Sequence, residues 1–123
     1  MKNLVKLSMF LALSVNLNAD VNHIVFCWLK EPNSMDAKSK LIEATKSLKV
    51  ISEVESIFIG HKISSERKIV DSSYDLSITF RFKNKENLDK YLQHSIHKDV
   101  TIKALIPLTS KVVIYDFEEE KIK

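Results

Sequence analysis

From Ser73 to Phe82 apolar and polar residues alternate without interruption: Tyr74, Leu76, Ile78, Phe80 and Phe82 on one side, Asp75, Ser77, Thr79 and Arg81 on the other. Successive side chains of a strand point to opposite faces, so a period of two predicts a strand with one core face and one polar face. A lone strand cannot bury that face, and three further runs supply partners. Asn22–Leu29 is rich in Ile, Val, Phe and Trp and stops before Lys30-Glu31-Pro32. Its alternation puts His23, Val25, Cys27 and Leu29 on one face and Ile24, Phe26 and Trp28 on the other. Apolar residues on both sides predict that both are covered. Val54–Ile63 reads as a strand with Ile57, Ile59, His61 and Ile63 on one side, and its Gly60 marks a bulge or the close approach of another backbone. Lys111–Phe117 is the last strand, and the polar stretch Ser64–Ser73 is a connecting loop.

Two helical patterns separate these runs. Asn33, Ser34 and Asp36 are candidate N-caps for a helix whose inward stripe is Ala37, Leu41, Ala44, Thr45 and Leu48. Its lysines and Glu43 fall on the opposite, solvated face. Asn84 caps a second helix carrying Leu88, Tyr91 and Leu92 inward. That pattern breaks and restarts between His94 and His97, then runs through Val100, Ile102, Ala104, Leu105 and Ile106 until Pro107 helps end it. Strand, helix, strand, strand, helix, strand is the α+β, ferredoxin-like split arrangement. Helices on one face of such a sheet leave the other open. Ile24, Phe26 and Trp28 are too apolar for water, and a second copy of the chain is the simplest cover.

The first 19 residues read as an export signal rather than part of the domain. Lys2 and Lys6 precede the apolar run Leu7–Val15, and Asn16-Leu17-Asn18-Ala19 ends in a small residue suited to cleavage before Asp20. The run is shorter than the roughly 20 residues of a membrane span, and no other segment approaches one. Residues 20–123 then form one domain, in the periplasm or outside the cell. Residues 1–19 carry two of the 19 basic residues and no acid, so 17 basic residues face 16 acidic ones in the remainder, a net of +1. Without a basic stripe, nucleic acid is not an expected partner. The single Cys27 excludes an internal disulfide and reads as a small buried hydrophobe.

Chemistry concentrates in Tyr91-Leu92-Gln93-His94-Ser95-Ile96-His97, which gathers two histidines and a tyrosine near one helix end. Residues three apart share a helix face, so Tyr91 and His94 project together and His97 opens the next element. Imidazole exchanges protons near neutral pH, and a phenol can polarise a carbonyl oxygen. His23, at the start of the first strand, carries a third such group; its bland role is a hydrogen-bonded rim residue. For His94 and His97 the bland role is the capping of helix ends, and Tyr91 can serve simply as core. Three imidazoles, His23, His94 and His97, can also hold zinc or copper, but no acidic or cysteine ligand joining them is evident, and no metal or cofactor is expected.

His23-Ile24-Val25-Phe26, the motif Tyr91-Leu92-x-His94-x-x-His97, and the closing Val112-Val113-Ile114-Tyr115-Asp116-Phe117 together resemble the stress-responsive dimeric A/B barrel (Dabb) domain. The resemblance runs from about Val21 to Glu118. It implies a ferredoxin-like monomer whose sheet packs on that of a second copy to close a barrel, with a cavity between sheet and helices in each subunit. Some members are plant polyketide cyclases, whose functional residues fall here on His23, Tyr91 and His97. Ser95 stands where the family usually carries proline, so the helix break is less enforced. Two readings follow: a small-molecule-binding homodimer, with His94, Val25, Cys27 and Leu88 as ligand contacts, or an acid/base enzyme acting on a carbonyl compound through His97, Tyr91 and His23.

Overall fold

A computed structural model describes residues 19–122; the expected leader, but for Ala19, lies outside them. The chain runs β1 (Val21–Leu29), α1 (Met35–Ser47) with a 3-10 turn at Leu48–Val50, β2 (Ser56–His61), β3 (Leu76–Phe82), α2 (Lys85–Gln93) and α3 (Ser95–Val100). A π-helical turn (Thr101–Leu105) and a short helical turn (Ile106–Leu108) lead into β4 (Thr109–Glu118). The strands form one antiparallel sheet in the order β2-β3-β1-β4. This is the ferredoxin-like α+β fold that the order of elements predicts.

Register decides the two faces. Val25 lies opposite Ile78 on β3 and Ile114 on β4, and His23 lies opposite Phe80 and Asp116. Paired residues point the same way, so these side chains share the face covered by the helices. Along β1 every second residue is buried, from Val21 to Leu29. Against them α1 sets Ala37, Leu41 and Thr45, followed by Leu48, at the spacing of one helical face. The helix starts where Ser34 Oγ accepts the Ala37 N–H at 3.1 Å, and Asp36 stands in its first turn, where a carboxylate favours the positive end of the helix. Its outer face is laced by Lys40–Asp36 and Lys46–Glu43 pairs.

The structure corrects the strand limits. The β2–β3 ladder runs only from Ser56↔Arg81 to His61↔Leu76, and Ile63 beyond it is exposed. β3 begins at Leu76 because Asp75 turns to β1: its N–H donates to the Cys27 carbonyl, and its Oδ2 accepts the Leu29 N–H at 2.7 Å, where the β1–β4 register shifts. Tyr74 thereby leaves the alternation. Expected on the core face, it lies on the other side of the sheet, 5.0 Å from the Phe26 ring and 6.4 Å from Trp28. Gly60 keeps regular register opposite Ser77, so it is not a bulge. What approaches it is the Ser77 hydroxyl, 2.4 Å from where a Cβ would stand.

Candidate functional site

The junction after α2 forms without proline. His94 adopts an extended conformation (φ −67°, ψ 137°), which stops α2, and its N–H donates to the Tyr91 carbonyl. Its Nδ1 then accepts the Ile96 N–H at 3.1 Å, capping α3. One side chain therefore closes one helix and opens the next, supplying the break that Ser95 does not enforce. The turn carries His97 back over α2, where its Nδ1 lies 3.1 Å from the Leu92 carbonyl.

Tyr91, the inward residue of α2, is the hub. Its ring lies 4.6 Å from that of His97, 5.2 Å from Phe80, 5.1 Å from Phe82 and 6.1 Å from His23. His23, Tyr91 and His97 line one cavity of about 50 Å³ between the sheet and the helices. Val25, Ile78 and Phe80 form its floor, Leu41, Thr45 and Leu48 one wall, and Val100, Thr101 and Leu105 the other. Ile114, on the edge strand β4, stands at its rim and is half exposed.

Of the expected ligand contacts, Val25 lines this cavity. Cys27, Leu88 and His94 do not. Cys27 is sealed between β3 and β4, and burial, with the charge of Asp75, pushes its thiol up to about 12, leaving it unreactive. Leu88 is spent on the core, and His94 on the helix junction. That placement also separates the three imidazoles considered for metal: among the described residues no three His, Cys, Asp or Glu side chains gather as a ligand set.

The hydrogen bonds fix which atoms face the cavity. A carbonyl oxygen only accepts, so His97 Nδ1 carries the proton it gives to Leu92, and Nε2 of the neutral ring is left as a lone pair. Burial lowers the proton affinity of His97, the charges of His23 and Lys98 lower it further, and the Leu92 bond opposes them. His97 is therefore an acceptor, or base, at neutral pH. His23, only 3% exposed, sets its Nδ1 2.5 Å from Asp116 Oδ1. The ionised carboxylate accepts that proton too, again leaving Nε2 toward the cavity. Burial raises the pKa of the Tyr91 phenol, so it stays an O–H donor. Among the described residues neither Nε2 nor the phenol oxygen has a hydrogen-bond partner, yet no buried side-chain N or O is left unsatisfied. All three atoms therefore touch space that water or a ligand can enter.

Asp116 escapes a reading of the sequence alone. It shares parity with Val112 and Ile114 on an inward-facing stripe, the one signal that could have found it. Its pairing with His23, however, depends on a register between residues 93 apart in the chain. A carboxylate behind an imidazole fixes its tautomer and orientation.

The whole domain has counterparts among known proteins. A crystal structure of a Dabb family protein with a ferredoxin-like fold from Mesorhizobium loti superposes with a TM-score of 0.70 at 21% identity, over 84% of this chain and 99% of that one. A hydroxynitrile lyase from Passiflora edulis gives 0.74 at 16%, over 86% and 98%. A dimeric ferredoxin-like protein of unknown function from Thermobifida fusca gives 0.66 at 16%, over 87% and 96%. No curated protein sequence matches. The family model of the stress responsive A/B barrel domain matches residues 21–119, from the first residue of β1 to just past the end of β4, and takes in His23, Tyr91, His97 and Asp116. With fold and motif in agreement over nearly all the described residues, the chain belongs to the stress responsive A/B barrel domain family.

Proposed function

We propose that this protein is an exported homodimer that takes up a small carbonyl-containing molecule in the cavity of each subunit. The observation that carries this reading is the convergence of three polar atoms without partners among the described residues, His23 Nε2, Tyr91 Oη and His97 Nε2, on one otherwise apolar cavity. Sites for small molecules have this composition: apolar walls and a few placed donors and acceptors. Pairing of two copies is supported by the uncovered aromatic residues on the far side of the sheet and by the dimeric neighbour from Thermobifida fusca. Export is supported by the charged, apolar and small-residue pattern of residues 1–19.

A second reading, acid/base catalysis, is favoured by the Asp116–His23 pair and the neutral His97, whose imidazoles both lie beside the Tyr91 ring. One imidazole backed by a carboxylate can hold a proton while the other accepts one, with the phenol on the substrate oxygen. The hydroxynitrile lyase from Passiflora edulis shares the fold and is an enzyme by its name. Native mass spectrometry of the protein taken from the exported fraction tests the first reading. A dimer beginning at Asp20 and carrying an added small mass is the expected result, and a monomer would overturn the paired assembly. Turnover of carbonyl compounds that His97→Gln abolishes, without change in the unfolding midpoint, would move the conclusion to catalysis.

A further inference from the structure

We propose that the cavity selects a neutral molecule of about three to five non-hydrogen atoms bearing a carbonyl or hydroxyl group, and that Leu105 on the π-helical turn sets this size limit. The inference rests on the reading of the cavity as a ligand site and adds a size and a charge to it. The size follows from the volume. About 50 Å³ is room for about three to five waters, each needing roughly 10–15 Å³, and is far below the roughly 300–1,000 Å³ of pockets for drug-sized ligands.

Most of the boundary is locked. Val25, Ile78 and Phe80 belong to paired strands, and Leu41 and Leu48 are core residues. The remaining wall is the α3 end and the π-helical turn, where Leu105 faces the cavity while its neighbours Ile102 and Ile106 are exposed. A π turn widens the helix locally and re-aims its side chains, a device common beside functional sites. Leu105, only partly buried against the core, is therefore the residue of this wall whose trimming widens the cavity between sheet and helices, whereas Ile114 stands only at its rim.

The charge follows from the polar atoms. Tyr91 offers a donor and His97 Nε2 a lone pair. The Thr45 and Thr101 hydroxyls spend their protons on the Leu41 and His97 carbonyls of their own helices, so they add lone pairs only. Among the described residues no Lys or Arg lines the cavity, and any positive charge on His23 is already met by Asp116. A carboxylate would enter with its charge uncompensated, whereas a neutral carbonyl or hydroxyl compound accepts from Tyr91 and, where it has a proton to give, donates to His97.

Acetone, acetate of the same size, and the bulkier cyclohexanone separate these points when titrated into the full protein at neutral pH, with the ring resonances of Tyr91 and His97 followed by NMR. Acetone is expected to shift both, while acetate shifts neither. Cyclohexanone should bind wild type weakly and gain about tenfold or more in Leu105→Ala; should that variant not fold, Val100→Ala trims the same wall. Acetate binding as well as acetone, or cyclohexanone equalling acetone in wild type, would overturn the selection and leave the ligand site standing. No shift from any probe in wild type or the enlarged variant would overturn the site and the selection together.

Discussion

On the helix side of the sheet Leu76 and Phe82 are wholly buried, whereas on the opposite side Phe58, Tyr115 and Phe117 remain 63%, 60% and 48% exposed. The sheet is the same, so the difference lies in which parity the helices cover. β3 shows what a wet face looks like, with Ser77, Thr79 and Arg81 outward. Beside it, β1 and β4 present Ile24, Phe26, Trp28, Val113, Tyr115 and Phe117 on that face. Phe26 packs between Tyr74 and Tyr115, and Lys111 lies 4.5 Å over the Trp28 ring. At one end Arg81 pairs with Glu119 and Asp20, and Asn22 also reaches Glu119. Each member of the Arg81–Glu119 pair shifts the other toward its charged form. The inner face is thus a core completed by the chain itself, while the outer face is a polar-edged aromatic surface that its own helices leave open.

Two substitutions test that contrast. Phe82→Ala removes a buried ring from the inner face and is expected to cost about 3–5 kcal/mol, measured by urea unfolding; a loss below about 1 kcal/mol would mean the inner face is not the core. Tyr115→Glu puts a charge among the outer aromatics. Its effect on the isolated subunit should stay within about 0.5 kcal/mol, but association should be lost, so that light scattering reads a monomer and the unfolding midpoint no longer depends on protein concentration. A dimer surviving Tyr115→Glu would place the contact elsewhere.

Much of this division is legible in the sequence itself. Alternation in β1 and β3 is a local signal, and it sorted His23, Val25, Cys27, Ile78 and Phe80 onto one face correctly. Helical spacing likewise turned Tyr91 inward. What stayed hidden depends on distant pairing. Tyr74 fits the alternation of Leu76 and Ile78 in sequence, but Asp75 is drawn to β1 and reverses its neighbour's direction. Asp116 acquires meaning only when β4 pairs with β1. The π-helical turn has no period of its own over five residues, so the helical segment read through Val100, Ile102 and Leu105 does not show that the wider turn leaves Ile102 exposed.

Smaller effects concern the roof over the inner face. His94→Ala removes the acceptor of the Ile96 N–H and is expected to cost about 1 kcal/mol in urea unfolding, with His94→Asn recovering most of it; no loss in the alanine variant would discard the cap. His97 adds a pH dependence. Its proton affinity is lowered in the folded chain, so as pH falls through about 6.5 the unfolded chain takes up the proton first. Stability is full above that value and is lost down to the lowered folded value. Unfolding midpoints across this window should fall less in His97→Gln than in wild type. Equal slopes would show that His97 does not titrate differently on folding. His23 and Asp116 on the sheet and Lys98 on α3 are titratable neighbours common to both proteins, so only the difference between the two curves is assigned to His97.

The smallest effect is expected on the outer face, at Gly60. A methyl group there meets the Ser77 Oγ at 2.4 Å, too close to coexist, but the obstacle is the end of a side chain rather than a backbone. Ser77 can rotate away, at roughly 0.5–1.5 kcal/mol if it is driven off its preferred rotamer. Against this, Gly60→Ala restricts the unfolded chain and stabilises by about 0.4–1 kcal/mol where the backbone suits alanine, and Gly60 has no positive φ to prevent it. The two terms nearly cancel, so urea unfolding should place Gly60→Ala within about 0.5 kcal/mol of wild type. An inner-face residue of the same strand, Ile59, packs against the core and has no such freedom. A loss at Gly60 as large as that of Ile59→Ala would show that Ser77 is held in place, and with it that the outer face beside β3 is already packed rather than open.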